Sequence, residues 1–541
     1  MGGASYAKAR KIVSPKESSG QRARLLHAGV PNLDGECSIP HHSTQIDFVQ
    51  TARRVLRENG FDPDFGQPVE AQVESLREPA LPAPGAAADG VRDLRALLWS
   101  SIDNTESRDL DQVEVVEQLD GGAIRVLVGI ADVDVLVGKG TPADEHARGN
   151  ATSVYTGVVT FPMLPERLST GLTSLNEDED RRALVVENVV EEDGTVEHFD
   201  VYRALVRNRA KLAYEGVGAW LEHAAGGKDS GAAALGVPEA LARDAALAEQ
   251  LRLQREAARR LKAERVASGA LELDTIEATP VTRDGRIVDL RLVHKNLARD
   301  LIEDFMIASN VAIAKWLEAR GRSGIRRVVR EPERWQRIVD LARGYGEVLP
   351  AAPDSLALAQ FLARRRAADP LRFPDLSLSI VKLMGPGEYA LDLPGKDPGG
   401  HFGLAAHDYS HATAPNRRYA DLITQRLVKA TLAGAVAPYA NDELAAIAAH
   451  CTEREDAARK VERTMRKVAA AVFLADRIGE TFDAIVTGDT PKGTYVRLLH
   501  PPAEGRVVRG AEGMDVGDRV RVRLVSTDAQ KGWIDFVGIR E

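Results

Sequence analysis

Residues 101–112 read SIDNTESRDLDQ and place Asp103, Asp109 and Asp111 within nine positions. Carboxylates are hard oxygen donors. They suit Mg²⁺, which takes a few of them and completes its shell with waters and phosphate oxygens. Asp109 and Asp111 are two residues apart, so in extended backbone they point to the same side. Asp103 can fold back through Asn104 and Thr105 to complete a site. A bare DxD pattern fits a solvated acidic loop equally well, so the flanking sequence has to decide.

Downstream, residues 113–116 and 124–130 are short apolar runs around an Asp-Gly-Gly turn, the pattern of paired strands. Residues 183–206 hold two more such runs around Glu192-Asp193-Gly194. Residues 238–265 are rich in Ala, Leu and Arg at helical spacing, and 297–317, 418–432 and 453–476 read as amphipathic helices. Upstream, 45–59 (QIDFVQTARRVLREN) predicts one helix. Residues 1–40 read as a flexible basic arm, 41–90 as a small helical region, and PALPAPGAAADG at 79–90 as a linker. Past residue 480 the character changes. Alternating runs at 483–486, 494–498, 519–525 and 533–537, separated by Gly, Asp and Pro, predict a small β-barrel. No tandem repeat is present.

A chain of 541 residues calls for more than one domain. With 44% apolar and 28% charged residues it has an ordinary globular composition. It lacks a run of about 18 apolar residues, which speaks against a membrane span. No secretory h-region opens the chain, and Tyr6 stands where a myristoylation signal needs Ser or Thr. Two cysteines, Cys37 and Cys451, cannot build a metal cage or a disulfide framework, and a reducing cytoplasm fits them. A net charge of −9 argues against coating nucleic acid by bulk electrostatics, but not against a local basic channel.

Taken together, the motifs resemble those of the ribonuclease II and ribonuclease R family, the RNB-domain exoribonucleases. Ile102-Asp103 with Asp109-Leu110-Asp111 resembles the family's metal signature. VGIADV at 128–133, TSVY at 152–155, FPMLPERLS at 161–169, TSLN at 173–176, Asp180-Arg181 and AKLAYE at 210–215 follow in family order. HFGL at 401–404 and YSHATAPNRRYADL at 409–422 resemble its late signature. In the tail, 482–486, GTYV at 493–496, Glu504-Gly505, VGD at 516–518 and IDF at 534–536 resemble an S1-type OB domain.

The resemblance implies an α+β fold: an RNB catalytic domain at 91–435, with a mixed sheet and helices around a central RNA channel. A helical extension at 436–479 and an S1-type OB barrel at 480–541 would follow. It implies a hydrolytic 3′→5′ exoribonuclease that degrades single-stranded RNA to nucleoside 5′-monophosphates, working as a cytoplasmic monomer away from membranes. The cofactor would be Mg²⁺ or Mn²⁺, with Asp103, Asp109, Asp111 and Gln112 as the metal set. Arg417 would stabilise charge on the phosphate. Tyr155 would stack on nucleotides near the 3′ end. Tyr214 either lines the channel or anchors the core. Arg418 is an RNA-binding candidate set against a structural ion pair. Phe482, Tyr495, Arg497 and Arg521 are candidates for the barrel's RNA face, and Phe536 reads as core. His411 is discounted as a general base. Glu462 reads rather as a solvated helix position between Arg459 and Arg466 than as a site residue.

Three departures stand out. The family's cluster has a fourth Asp directly after the DxD, and here that position is Gln112. This leaves open an active enzyme, one with altered metal preference, or a catalytically silent RNA-binding protein. Residues 271–273 offer no aromatic opposite Tyr155. Residues 1–90 are too short for the two cold-shock domains of classical members.

Overall fold

The computed structural model describes residues 47–78, 80–82, 90–224, 237–274, 277–283, 286–293, 295–490 and 493–539. The arm at 1–40, Cys37 and most of the linker at 79–90 lie outside these residues.

The sheet grows from the acidic segment outward. β1 (Val91–Asp93), β2 (Trp99–Asp103), β3 (Gln112–Gln118) and β4 (Ile124–Ala131) come first. A two-residue hairpin, β5 (Val154–Tyr155) with β6 (Thr160–Phe161), intervenes before β7 (Asp180–Val190) and the 18-residue β8 (Val196–Ala213). The six strands of the main sheet run in the order β1-β8-β2-β3-β4-β7. β8 pairs with β7 along its first part and with β2 along its last, so the sheet curls back on itself.

β3 and β4 are buried on both faces because both are covered. On one face Trp99, Val113, Val115 and Leu127 join a core with the helix Tyr419–Leu432. On the other, Ile102, Val116, Val128 and Ile130 pack with the helices Ala245–Ala267 and Leu297–Glu318. The turn between β3 and β4 needs glycine at Gly121 and Gly122, whose φ are 82° and 88°.

The turn from β7 to β8 is tighter. Gly194 has φ 90°, and a Cβ there would lie 2.1 Å from the backbone oxygen of Arg260. Gly194→Ala combines left-handed strain with a backbone clash and is expected to cost about 2–4 kcal/mol. A lower urea midpoint measures it, and an unchanged midpoint would contradict this packing.

Beyond the sheet, β9 (Glu277–Arg283) and β10 (Arg286–Val293) form a hairpin, and β11 (Gly324–Val328) pairs antiparallel with β12 (Glu388–Asp392). Helices Trp335–Gly344, Ser355–Ala368 and Phe373–Met384 enclose a separate core of Ile338, Leu358, Phe361 and Ile380. Leu271 and Leu273, where an aromatic was sought, pack against that core.

The tail is a closed five-stranded barrel. β13 (Thr481–Thr490), β14 (Gly493–Leu498), β15 (Glu504–Arg509), β16 (Arg519–Asp528) and β17 (Trp533–Ile539) close in the order β13-β14-β15-β17-β16. The predicted α+β class and C-terminal barrel are thus both observed.

One helix, Asn441–Leu474, runs 34 residues and touches three cores in succession. Leu444, Ile447 and Cys451 enter the first sheet core. Ala458, Val461, Met465 and Val468 pack on Phe48, Ala52 and Val55 of the helix Phe48–Glu58. Ala470, Ala471 and Leu474 seal the barrel.

Candidate active site

Each end of the acidic loop is built into a strand: Asp103 closes β2, and Gln112 opens β3. The loop between them is fastened from behind. Ser174 Oγ accepts from Leu110 N at 3.0 Å and donates to Arg108 O at 2.8 Å. Leu175 N donates to Leu110 O at 3.0 Å, and Lys211 Nζ donates to Ser107 O. The TSLN and AKLAYE segments therefore act as braces for the aspartates.

Asp111 is 2% exposed and fully engaged. One carboxylate oxygen accepts from Asn416 N at 3.3 Å, and the other from Arg417 Nε at 2.9 Å. Burial pushes its carboxyl up to about 6, against the pull of Arg417. Asp109 is also raised, first by burial and then by the facing charge of Asp103. Gln112 is 8% exposed, and strand alternation turns it to the face opposite Val113, alongside Glu114. Glu114 is buried, and its carboxyl is held well above the ordinary range, by desolvation first and then by Asp103.

Arg417 binds Asp111 through Nε alone. Among the described residues its terminal nitrogens carry no hydrogen bond, and its side chain is 40% exposed. Its carbonyl is held by Ser153 N and Thr152 Oγ1, and Asn416 Oδ1 accepts from Thr173 Oγ1 at 2.6 Å. The early TSVY segment thus positions the late arginine.

Tyr155 projects beside them, 42% exposed. Its phenol is raised above its usual value by burial of the hydroxyl end, which sits in the fields of Arg417, Asp109, Asp111 and Asp103. The backbone N–H of Tyr155 donates to Glu462 Oε1 at 3.0 Å. This corrects the sequence reading of Glu462 as a solvated helix position: tertiary packing turns it onto the aromatic. Asp109, Tyr155, Glu462, Arg466 and Arg299 line a cavity of about 670 Å³, with Pro280 of β9 on another wall.

Arg299 escapes sequence reading. It lies over the Tyr214 ring, 4.4 Å from its centre, and donates to Asn104 Oδ1 and Glu215 Oε1. The only sequence signal is its place in the first turn of a helix capped by Asn296. Tyr214 sits beside Asp103 and Glu114, and burial raises its phenol. Arg418 is committed to Asp421 at 2.7 Å and to Thr413, which matches the ion-pair alternative weighed for it and not RNA contact. His411 bonds Tyr389 OH at 2.8 Å, and burial with Arg418 and Arg327 nearby holds it well below its usual value.

In the barrel two candidates are corrected. Phe482 is 5% exposed within the barrel core, so its face cannot stack on a base. Arg497 is 9% exposed and pairs with Asp375 at 3.0 Å, tying the barrel to the helix Phe373–Met384. Strand alternation predicts the inward turn of Phe482, whereas Arg497 lies on the outer face between Val496 and Leu498 and is covered by the helix Phe373–Met384. Tyr495 is partly exposed opposite Arg506, and Arg521 stands on the outer face with Arg519 and Arg523. Phe536 is core, as expected.

Among the described residues no three acidic, His or Cys side chains are gathered tightly enough to cage an ion alone. The donor set fits the other way of holding Mg²⁺, by one or two carboxylates with waters and substrate phosphate. Asp109, and Asp103 whose charge helps to hold the Asp109 carboxyl up, are the carboxylates that could do so.

An aspartate cluster, a half-exposed arginine and an exposed tyrosine are thus gathered beside a curled mixed sheet. The RNB domain model matches residues 91–434, and the RNase II-type exonuclease C-terminal S1 domain model matches 480–538. The chain belongs to the RNB-domain exoribonuclease family. It is 27% identical to ribonuclease R 1 of Lactococcus lactis over 87% of this chain, and it spans 59% of that relative's length. Its fold matches ribonuclease R of Mycoplasma genitalium, solved with ribose-methylated single-stranded RNA, at a TM-score of 0.80 and 21% identity, covering 91% of this chain and 78% of that one. Yeast Ssd1, described as a pseudonuclease, shares the fold at a TM-score of 0.63 and 17% identity, over 88% of this chain and 57% of that one. No helix among the described residues is long and apolar enough to cross a membrane.

Proposed function

We propose that this protein is a divalent-metal-dependent exoribonuclease that releases nucleoside 5′-monophosphates from the 3′ end of RNA. The observation that carries this reading is the gathering of Asp103, Asp109, Asp111 and Arg417 around the Tyr155 phenol, with Asp109 and Tyr155 lining one cavity. Asp103, Asp109 and the amide oxygen of Gln112 would hold Mg²⁺ or Mn²⁺. When bound, such an ion neutralises the phosphate and lowers the pKa of a coordinated water. Asp111, fixed by Asn416 and Arg417, would orient the attacking water and take its proton. The terminal nitrogens of Arg417 grip the non-bridging phosphate oxygens, where charge builds in the transition state. Tyr155 stacks on a base without reading its identity.

The absent charge at Gln112 favours a second reading, a silent RNA-binding protein on the same fold. A 5′-labelled single-stranded RNA separates the two. Shortening to a small labelled end product only with Mg²⁺ or Mn²⁺ supports the exonuclease. RNA that stays intact across both ions, yet is shifted on a gel, supports the silent protein.

Removing the stacking surface tests the channel. Tyr155→Ala is expected to weaken single-stranded RNA binding by about 5–100-fold, the equivalent of one base–aromatic contact. Fluorescence anisotropy measures it, and wild-type affinity would show that the 3′ end lies elsewhere.

A further inference from the structure

A second cavity, of about 390 Å³, shares no lining residue with the cavity at Tyr155. It lies between β7, the start of β8, the end of the helix Ala245–Ala267 and one face of the helix Leu297–Glu318. Its size is that of a small-molecule site.

Asn188 of β7 is the residue on its wall that a plain core would not contain. Leu184, Val186 and Val190 share its strand face by alternation, and all four are buried. Asn188 is 1% exposed, and among the described residues neither the nitrogen nor the oxygen of its amide has a hydrogen-bond partner. A buried amide left so costs stability, and an apolar side chain in its place would not. Phe199 stands opposite it on β8 and lines the same cavity, so amide and ring are neighbours.

The facing helix grades from buried to exposed. Asp304, Ile307, Val311 and Lys315 follow one another along its cavity side, about 16 Å from first to last. At the buried end Asp304 accepts from Arg265 at 2.6 Å, and Arg265 Nε is itself buried without a partner. At the other end Lys315 is exposed and carries no ion pair among the described residues. The acids on the wall are already engaged: Asp304 with Arg265, Asp408 with Arg326 and Glu264 with Ser268.

We propose that this cavity binds a nucleoside 5′-monophosphate, at a site separate from the one at Asp111. The Asn188 amide offers an acceptor and a donor side by side, the complement of a nucleobase edge. The Phe199 ring and the aliphatic wall of Ile307 and Val311 suit the faces of a planar base. Lys315 meets the phosphate at the exposed end. Such a nucleotide is what RNA hydrolysis at the candidate site would release, but the cavity recognises it by its own groups, whatever the chemistry at Asp111.

Calorimetric titration of the whole protein with AMP, in EDTA so that no divalent ion takes part, tests this. Wild type, Asn188→Leu, Lys315→Gln and Tyr155→Ala are compared, with circular dichroism confirming that each is folded. Asn188→Leu nearly keeps the volume and is expected to weaken AMP binding by about 5–100-fold, the worth of one bidentate base contact. Lys315→Gln is expected to weaken it by about 2–5-fold and to remove most of its salt dependence. Tyr155→Ala should bind AMP as wild type does, and ribose 5-phosphate, which lacks a base, should bind far more weakly than AMP. Wild-type protein that takes up no AMP at millimolar concentration overturns the proposal. So does unchanged affinity in either cavity variant, or ribose 5-phosphate binding equal to AMP. A loss in Tyr155→Ala overturns it too, by placing the nucleotide at the candidate active site. Should Asn188→Leu fail to fold, Lys315→Gln on the surface decides by its affinity and salt dependence.

Discussion

Asp111→Asn is expected to abolish RNA hydrolysis, by about 10²–10⁴-fold, while RNA binding survives. The substitution keeps the shape of the side chain, and its amide oxygen can still accept from Arg417 Nε. What is lost is the capacity to carry a proton and a negative charge beside the water. Single-turnover cleavage of labelled RNA measures the fall, and an anisotropy titration shows whether binding is intact. Undiminished cleavage would move the proton acceptor to Asp103 or Asp109.

The same burial sets a pH dependence. Because the folded Asp111 carboxyl titrates near 6, Mn²⁺ binding to the wild type is expected to weaken as pH falls through that value. For stability the sign is opposite. A folded pKa above the unfolded one makes the contribution full below about pH 4 and lost as pH rises through 6. Asp111→Asn should flatten that slope in the metal-free protein, seen as unfolding midpoints across pH.

The second large effect belongs to Arg417. Arg417→Ala should lower the rate of the cleavage step by about 10²–10³-fold, as expected for a lost donor to developing charge. Arg417→Lys should recover only part, because an ammonium lacks the fork that binds Asp111 through one edge and phosphate through the other. Removing the guanidinium also takes away the cation that holds the Asp111 carboxyl down, so the acid limb of Mn²⁺ binding should move to higher pH. A variant that loses rate without moving that limb would mean that Arg417 acts on substrate but not through Asp111.

The aspartate loop, the β3–β4 and β7–β8 hairpins and the barrel were legible because each has a local signature. Turn glycines and alternating or continuous apolar runs mark them. The hairpin β9–β10 has only a weak signature, because Asp284-Gly285 separates its strands but Pro280 interrupts the first. The long helix was read from residue 453, twelve positions after it starts, because its opening turns are Ala-rich with little contrast between faces. At the site, residue type and spacing pointed to Asp103, Asp109 and Asp111, and the family resemblance pointed to Arg417 and Tyr155. Sequence could not decide which way a side chain faces once elements pack. Glu462 turned out to touch Tyr155, Phe482 turned into the barrel, and Arg497 was covered by a neighbouring helix. Asn188 looked like an ordinary strand residue until its amide was seen buried without a partner at a cavity wall.

The helix Asn441–Leu474 also fixes a length. It holds the Tyr155 backbone through Glu462, and twelve residues later it closes the barrel with Leu474. Those twelve steps span about 18 Å, and each residue added or removed would turn the barrel by about 100° around the helix axis. Arg497 would then be carried away from Asp375. Side chains along this stretch can be exchanged on the exposed side at little cost, but a single insertion or deletion there would re-aim the whole barrel. In this protein the distance between the candidate site and the barrel is counted in residues and tolerates changes of letter far better than changes of number.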